Sequence, residues 1–168
     1  MDNKVITTLS RAYQALGIPV VRFNFRGVGA SEGKFDHGAG ELDDLCTVAD
    51  WVLAQFPGAR LLIAGFSFGS ATAAQGVYRI PGVLHLTLVA PALERYQYDK
   101  DSVFPCPVCV IQGDLDELVD AKGVYAWAES LQGEVSVIRM TEASHFFHGA
   151  LTKMKTKLTA ILRVCLAG

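Results

Sequence analysis

The sequence predicts one α/β domain, in which a mostly parallel, twisted β-sheet carries helices on both faces. Apolar residues alternate along the chain between helical spacing and short continuous runs, which is typical of strands separated by helices. The short runs are apolar at nearly every position, as in parallel strands buried on both sides. A length of 168 residues, with 51% hydrophobic and 19% charged residues, suits a single core over residues 1–168.

The first third of the chain predicts a helix, a strand, a long loop and a second helix. Apolar residues at helical spacing favour a helix over residues 5–16, and Gly17 is placed to end it. Residues 18–25 predict the first strand, and a glycine-rich loop follows over residues 26–40. A second apolar stripe, with acidic residues in its first turn, predicts a helix over residues 42–56.

Four further strands and three further helices are predicted in the remaining sequence. The strands are expected at residues 60–66, 84–90, 108–112 and 135–140, and the helices at residues 68–79, 121–131 and 151–165. Strands that alternate with helices form parallel sheets. In such sheets the functional side chains follow the carboxyl ends of the strands, so candidate catalytic residues are expected at those positions.

The composition excludes several classes of function. The net charge is −2 and charges of both signs are interspersed, so no basic face for nucleic acid is expected. Residues 1–7 lack the apolar stretch of a signal peptide, and no run approaches the roughly 20 apolar residues that span a bilayer. We therefore expect a cytoplasmic protein that binds neither nucleic acid nor a membrane.

The cysteines predict neither a disulfide scaffold nor a metal site. The chain has four, at Cys46, Cys106, Cys109 and Cys165, which is too few and too scattered for a disulfide framework. Cys106 and Cys109 form a CxxC, but no second CxxC or histidine pair accompanies it. Both are expected in a buried strand, where residues three apart point to opposite faces. A structural role is the favoured interpretation.

A candidate nucleophile follows the second predicted strand. Residues 65–69 read GFSFG, a GxSxG pattern between a buried strand and a helix. In this arrangement Ser67 lies on a sharp turn, the flanking glycines keep side chains out of it, and the helix N-terminus favours developing negative charge. The alternative is a tight glycine turn with an incidental serine.

A serine nucleophile needs a base, and the base needs an acid to orient it. Asp114 and Asp116 follow the fourth predicted strand, and His145 and His148 follow the fifth, in the chain order Ser, Asp, His. Geometry favours Asp116 and His145, although turn chemistry alone would explain either aspartate and solvation either histidine. The other two histidines are weaker candidates, because one is expected inside a strand and the other in a polar loop.

Four motifs in order resemble those of the α/β-hydrolase superfamily, and most closely its small, capless bacterial members. They are an RGxGxSxG-like loop at residues 26–33, the GxSxG at residues 65–69, a GxxDxxV-like loop at residues 113–119 and a histidine loop at residues 144–147. The resemblance covers nearly the whole chain and implies the α/β-hydrolase fold.

The resemblance also implies roles for particular residues. It assigns Ser67 as nucleophile, Asp116 as acid, His145 as base and the backbone N–H of Phe68 to the oxyanion hole. The implied activity is that of a carboxylesterase, which acts on small acyl esters through an acyl-enzyme and needs no cofactor or metal. Because residues 91–107 are too short for a lid, an open pocket is expected, edged also by Phe66, Tyr96 and Phe146.

One feature departs from the family pattern. In the family, three strands and an oxyanion loop precede the first helix, whereas here Met1 stands directly before that helix. We therefore expect an N-terminally shortened fold with an incomplete oxyanion hole, with a fragment of a longer protein as the favoured explanation. A non-catalytic or impaired domain, or such a fragment, is the alternative function. Exposed strand edges in such a fold favour homo-oligomers. Dinucleotide binding at residues 27–33 is disfavoured, because no helix opens within those glycines.

Overall fold

The structure is a computed structural model and describes residues 3–96, 98 and 103–167. Within these residues, four parallel strands form one sheet in the order β1-β2-β3-β4. The strands are β1 (Leu61–Phe66), β2 (Val83–Val89), β3 (Val108–Gly113) and β4 (Val135–Met140). Their register is regular through the middle of the sheet, where Ala64, Thr87, Cys109 and Ser136 lie level. The predicted α/β class with a parallel sheet is confirmed.

Helices cover both faces of the sheet, also as predicted. In chain order they are α1 (Lys4–Gln14), α2 (Ala39–Gln55), α3 (Phe68–Gly76), α4 (Ala121–Ser130) and α5 (Leu151–Ala167). Helices α1 and α5 share one apolar core with one face of the sheet, and α2, α3 and α4 share the other. Successive strand residues point to opposite faces, so Val110 enters one core and Ile111 the other. Each is fully buried, which contributes about 1.5–3 kcal/mol per side chain.

The predicted first strand is wrong. Residues 18–25 form no strand, although the segment joins α1 to the long loop as expected. A strand requires ladder hydrogen bonds, and within the described residues the outer edge of β1 pairs with no other strand. The hydrogen bonds that flank the segment are local: Ile18 N–H donates to Tyr13 O, and Val28 N–H donates to Phe25 O. Apolar alternation predicts the strand but cannot supply its partner.

The loop over residues 26–40 is held by charged side chains at the start of α2. The Arg26 guanidinium and backbone N–H both bond the carboxylate of Asp44, with a shortest distance of 2.8 Å. The buried Glu41 carboxylate accepts the backbone N–H groups of Asp36 and Gly38. These bonds fix the loop against the start of α2, so the glycine-rich motif is a structural element here.

The CxxC cysteines are buried and unbridged, but only one of them lies in a strand. Cys109 is in β3, whereas Cys106 precedes it, because Pro107 cannot donate to the ladder. Burial raises the pKa of the Cys106 thiol to about 11 and that of Cys109 to about 12. Both thiols are therefore poor nucleophiles, which agrees with the structural interpretation.

In the described part of the chain, no helix has the length and apolarity that crossing a membrane requires. The same residues contain no group of three or more His, Cys, Asp or Glu side chains that could hold a metal ion.

Candidate active site

Ser67 lies on the turn that joins β1 to α3. Its backbone has φ 51° and ψ −118°, a conformation that is strained for a residue with a side chain. Three bonds hold it there. Ser67 N–H donates to Val89 O at 2.8 Å, while its carbonyl accepts the backbone N–H of Ser70 at 2.9 Å and the Ser70 hydroxyl at 2.6 Å. The turn therefore presents the Ser67 side chain at the carboxyl edge of the sheet.

The two glycines of the GxSxG pattern have different roles. A Cβ on Gly65 would lie 2.0 Å from the carbonyl oxygen of Gly69, so this position admits no side chain. A Cβ on Gly69 would meet nothing within 4 Å. The prediction that both glycines keep side chains out of the turn is right for Gly65 and wrong for Gly69, because the latter faces away from the β1–α3 contact.

Asp116 lies in the loop after β3, and its side chain is fully buried. Its Oδ1 accepts the backbone N–H groups of Leu118 and Val119, each at 2.9 Å, and its Oδ2 accepts the Gln112 amide at 2.9 Å. Burial by itself raises the pKa of this carboxyl. Hydrogen bonds from His145, Leu118 and Gln112 outweigh burial and hold the pKa below its usual range, so the group is an anion at neutral pH.

His145 follows β4 and bridges the acid to the serine. Its Nδ1 lies 2.9 Å from Asp116 Oδ2 and 3.1 Å from Oδ1, and its Nε2 lies 3.2 Å from Ser67 Oγ. An ionised carboxylate only accepts hydrogen bonds, so Nδ1 carries the proton and Nε2 is free to accept one from Ser67. His145 is only 3% exposed, and its backbone N–H donates to the Glu117 carboxylate at 3.1 Å.

The acid loop and the histidine loop are joined at the ends of β3 and β4. Asp114 N–H donates to Met140 O, and Leu115 N–H donates to Ala143 O. Gly113 permits this approach, since a Cβ there would lie 2.3 Å from Ala143 O. The backbone contact sets the position from which the imidazole reaches its acid.

The structure does not bring the competing aspartate to the imidazole. Asp114 instead accepts a hydrogen bond of 2.5 Å from the Tyr125 hydroxyl, and the Arg139 guanidinium lies 3.9 Å from the centre of the Tyr125 ring. This network anchors the end of β3 to α4. The sequence favoured Asp116 over Asp114, and the contacts place only Asp116 against His145.

The remaining histidines lie elsewhere. His148 is exposed beyond the histidine loop, and His37 is exposed in the loop before α2. His85 is buried within β2, as expected for a packed residue, and burial lowers its pKa to about 4. It is therefore a neutral core side chain.

Aromatic rings flank the serine on both sides. On one side the Phe68 ring packs edge-on against Phe25 and Phe35, each at a centroid distance of 5.6 Å, and against Tyr96 at 5.1 Å. The backbone N–H of Phe68 is at the first position of α3, where no intrahelical acceptor is available. Among the described residues no acceptor for this N–H is present, so it can donate to a group beside Ser67.

On the other side, the Phe66 ring lies 5.0 Å from the His145 ring and 5.9 Å from Phe146. Phe66 is buried, so it supports the imidazole more than it offers surface to a ligand. Phe146 is 43% exposed and Tyr96 is half-buried, so these two rings are available at the edge of the site.

Four residues with direct contacts to the site were not predicted. Gln112 donates to Asp116, and Glu117 accepts the backbone N–H of His145. The Ser70 hydroxyl bonds the Ser67 carbonyl and the Tyr98 hydroxyl, which supports the turn at Ser67. Gln112 had a signal in the sequence, because a lone polar residue ends an otherwise apolar strand. The other three residues had no such signal in the sequence, because their roles depend on contacts between distant segments.

The parallel sheet, the strained serine turn and the linked serine, histidine and aspartate are features of an α/β serine hydrolase. A family profile described as an alpha/beta hydrolase domain matches residues 1–166, and the chain belongs to this family. The expectation drawn from the four motifs is confirmed.

Solved bacterial structures resemble the chain closely. One is XC6422 from Xanthomonas campestris, described as an α/β serine hydrolase without a lid. It is 45% identical with a TM-score of 0.91, over 97% of this chain and 74% of that one. An α/β serine hydrolase homologue from Coxiella burnetii is 40% identical with a TM-score of 0.91, over 96% and 77% of the two chains.

An uncharacterised protein from Rickettsia prowazekii is 38% identical over 156 residues. The match covers 88% of this chain and 66% of the Rickettsia protein, so the chain corresponds to just under two thirds of that relative's length.

Proposed function

We propose that this protein is a carboxylesterase that hydrolyses small acyl esters through an acyl-enzyme on Ser67. The observation that carries the proposal is the continuous hydrogen-bonded path from Asp116 through His145 to Ser67, with distances of 2.9 and 3.2 Å. A buried, ionised acid, a neutral imidazole and an accessible hydroxyl are the groups that acyl transfer requires.

In the first half of the reaction, His145 Nε2 removes the hydroxyl proton as Ser67 Oγ bonds to the ester carbonyl carbon. The carbonyl oxygen becomes an oxyanion, and Asp116 stabilises the imidazolium that forms. The carbon–oxygen bond to the alcohol then breaks, and His145 gives its proton to the departing alcohol. The acyl group stays on Ser67 as an ester.

In the second half, His145 removes a proton from water while the water oxygen bonds to the acyl carbon. The new oxyanion collapses, the bond to Ser67 breaks and His145 returns the proton to Ser67 Oγ. A carboxylic acid leaves, and the site regains its starting protonation. No metal or organic cofactor takes part in these steps.

The oxyanion is stabilised by the backbone N–H of Phe68 together with the N-terminus of α3. Phe146 and Tyr96 contact the apolar part of the ester, and Phe66 supports the imidazole from below. Because Phe146 and Tyr96 keep exposed surface, esters with short acyl groups are the proposed substrates.

Fluorophosphonate labelling tests the nucleophile, and hydrolysis of p-nitrophenyl acetate and butyrate tests the reaction. An adduct on Ser67 is expected, and both labelling and turnover should disappear in Ser67→Ala and fall steeply in His145→Ala. Ser130→Ala is the matched control, because this exposed serine at the end of α4 lies outside the site. Turnover that persists in Ser67→Ala refutes the proposal.

The alternative is a hydrolase-fold domain with little or no activity. The turn after β1 supplies one oxyanion donor, and the loss of one donor costs about a hundredfold or more in rate. The same experiment distinguishes the carboxylesterase from the impaired domain, because an impaired site is labelled on Ser67 but hydrolyses esters slowly. Self-association through the outer edge of β1 is a separate prediction, which light scattering on the purified chain tests.

A further inference from the structure

Gln112 is a buried polar side chain that the proposed reaction does not use. It is the penultimate residue of β3, next to Gly113, in a strand of six buried residues. Both hydrogens of its amide nitrogen have partners. One is donated to Gly113 O at 3.1 Å, and the other is donated to Asp116 Oδ2 at 2.9 Å. All of its side-chain hydrogen bonds therefore go to the loop that carries the acid.

The bond to Asp116 is made on the oxygen that faces the imidazole. Asp116 Oδ2 accepts both from Gln112 and, at 2.9 Å, from His145 Nδ1. The other oxygen is already held by the backbone N–H groups of Leu118 and Val119. The backbone N–H groups hold Oδ1, and the Gln112 amide holds Oδ2 from the other side, so together they fix the orientation of the carboxylate.

We propose that Gln112 is a positioning residue for the Asp116–His145 pair. Its amide aims Asp116 Oδ2 at the imidazole and draws electron density from that oxygen, which limits how strongly the pair holds a proton. This inference rests on the proposed function, because it assigns a task within the same site.

The other charged groups around the pair do not substitute for this amide. The Glu117 carboxylate, in the same loop, bonds the backbone of His145 rather than its ring. From the neighbouring elements, Asp114 is bonded by Tyr125 of α4, and Arg139 of β4 stacks on that tyrosine. Within the described residues, Gln112 and His145 are the two side chains that donate to Asp116.

Removal of the amide has a defined consequence for the reaction. The hydrogen bond from Gln112 is one of the contacts that lower the pKa of Asp116, so its loss makes the carboxylate more basic. The Asp116–His145 pair then keeps its proton to a higher pH, where the imidazole cannot act as a base. Because Gln112 is fully buried, it does not contact substrate, and KM should not change.

The test is Gln112→Met, which keeps the volume of the side chain and removes both donors. Gly113 O still accepts the backbone N–H of Asp116 at 3.3 Å, so the fold is expected to persist. We expect kcat for p-nitrophenyl butyrate to fall about tenfold with KM unchanged. The acidic limb of the kcat/KM profile should move up by about one pH unit.

A matched control separates this effect from a weakened core. Val110→Ala truncates a fully buried residue on the same face of β3, two positions before Gln112. It should lower the melting temperature and leave the midpoint of the pH profile where it is. The inference is overturned if Gln112→Met is folded and keeps both the kcat and the pH midpoint of the unaltered protein.

A further measurement keeps the test decisive. If the unaltered protein hydrolyses no ester, the proposed function fails. The role of Gln112 is then judged by NMR, where Gln112→Met should shift the downfield resonance of the His145 Nδ1 proton, and an identical resonance overturns it.

Discussion

Gly65→Ala is expected to disrupt the serine turn although it adds a single methyl group. The new Cβ would lie 2.0 Å from the carbonyl oxygen of Gly69 and 2.4 Å from its carbonyl carbon. An ordinary contact is about 3.4 Å, so the first turn of α3 must move away from β1 by about 1.4 Å. Both atoms belong to the backbone, so no side-chain rotation relieves the contact.

The displaced turn carries Ser67 and the N–H of Phe68, so the displacement falls on the reacting groups. A misplacement of about 1 Å costs roughly a hundredfold in rate, and overpacking costs about 1–3 kcal/mol in stability. For a domain of this size, that loss lowers the melting temperature by about 2–12 °C. Gly65→Ala should therefore be folded at room temperature and label with fluorophosphonate about a hundredfold more slowly.

Gly69→Ala is the matched control, because it makes the same substitution at the other glycine of the motif. A Cβ at Gly69 meets nothing within 4 Å, and its φ is negative, as in any helix. Alanine is favoured over glycine in a helix by about 0.5–1 kcal/mol, so stability should hold or rise. The assays are thermal unfolding and the labelling rate of Ser67. Equal effects of the two substitutions would refute the steric argument.

Three further predictions follow from single contacts of the structure. Asp116→Asn should lower kcat by about 10³–10⁴ and leave the protein folded, because an amide cannot hold the imidazole in the same tautomer; ester turnover and circular dichroism check this. Tyr98→Phe removes the 2.5 Å bond to Ser70 and should lower the melting temperature by about 2–4 °C, with turnover nearly unchanged. The hydrogen bond from Arg26 lowers the pKa of Asp44, so that carboxylate stabilises the fold above its ordinary pKa. Asp44→Asn should therefore melt earlier at pH 7, and the difference should shrink only as pH falls below about 4, through the lowered pKa of Asp44; equal melting temperatures at pH 7 contradict the assignment.

The segment at residues 18–25 shows why local pattern is an incomplete guide to a sheet. Its apolar alternation is as strand-like as that of β4, yet only β4 has a neighbour that supplies ladder bonds. Pairing depends on which segments the rest of the fold brings alongside. Local sequence carries no information on that point.

The sequence by itself determined the alternation of helices and strands, the parallel sheet and the carboxyl edge as the place of the site. It did so because burial on both faces requires continuous apolar runs, and because a serine between a buried strand and a helix needs glycine at the tightest point of the turn. The order of Ser67, Asp116 and His145 along the chain followed from the same reasoning.

Only the tertiary structure decided which of the neighbouring candidate side chains contacts the imidazole. Asp114 and Asp116 are two residues apart in one loop, yet one bonds Tyr125 and the other His145. The task of Gln112 likewise depends on a hydrogen bond whose direction is set by how β3 and the acid loop pack. Distances of a few tenths of an ångström between segments far apart in the chain decide such contacts, and no local spacing encodes them.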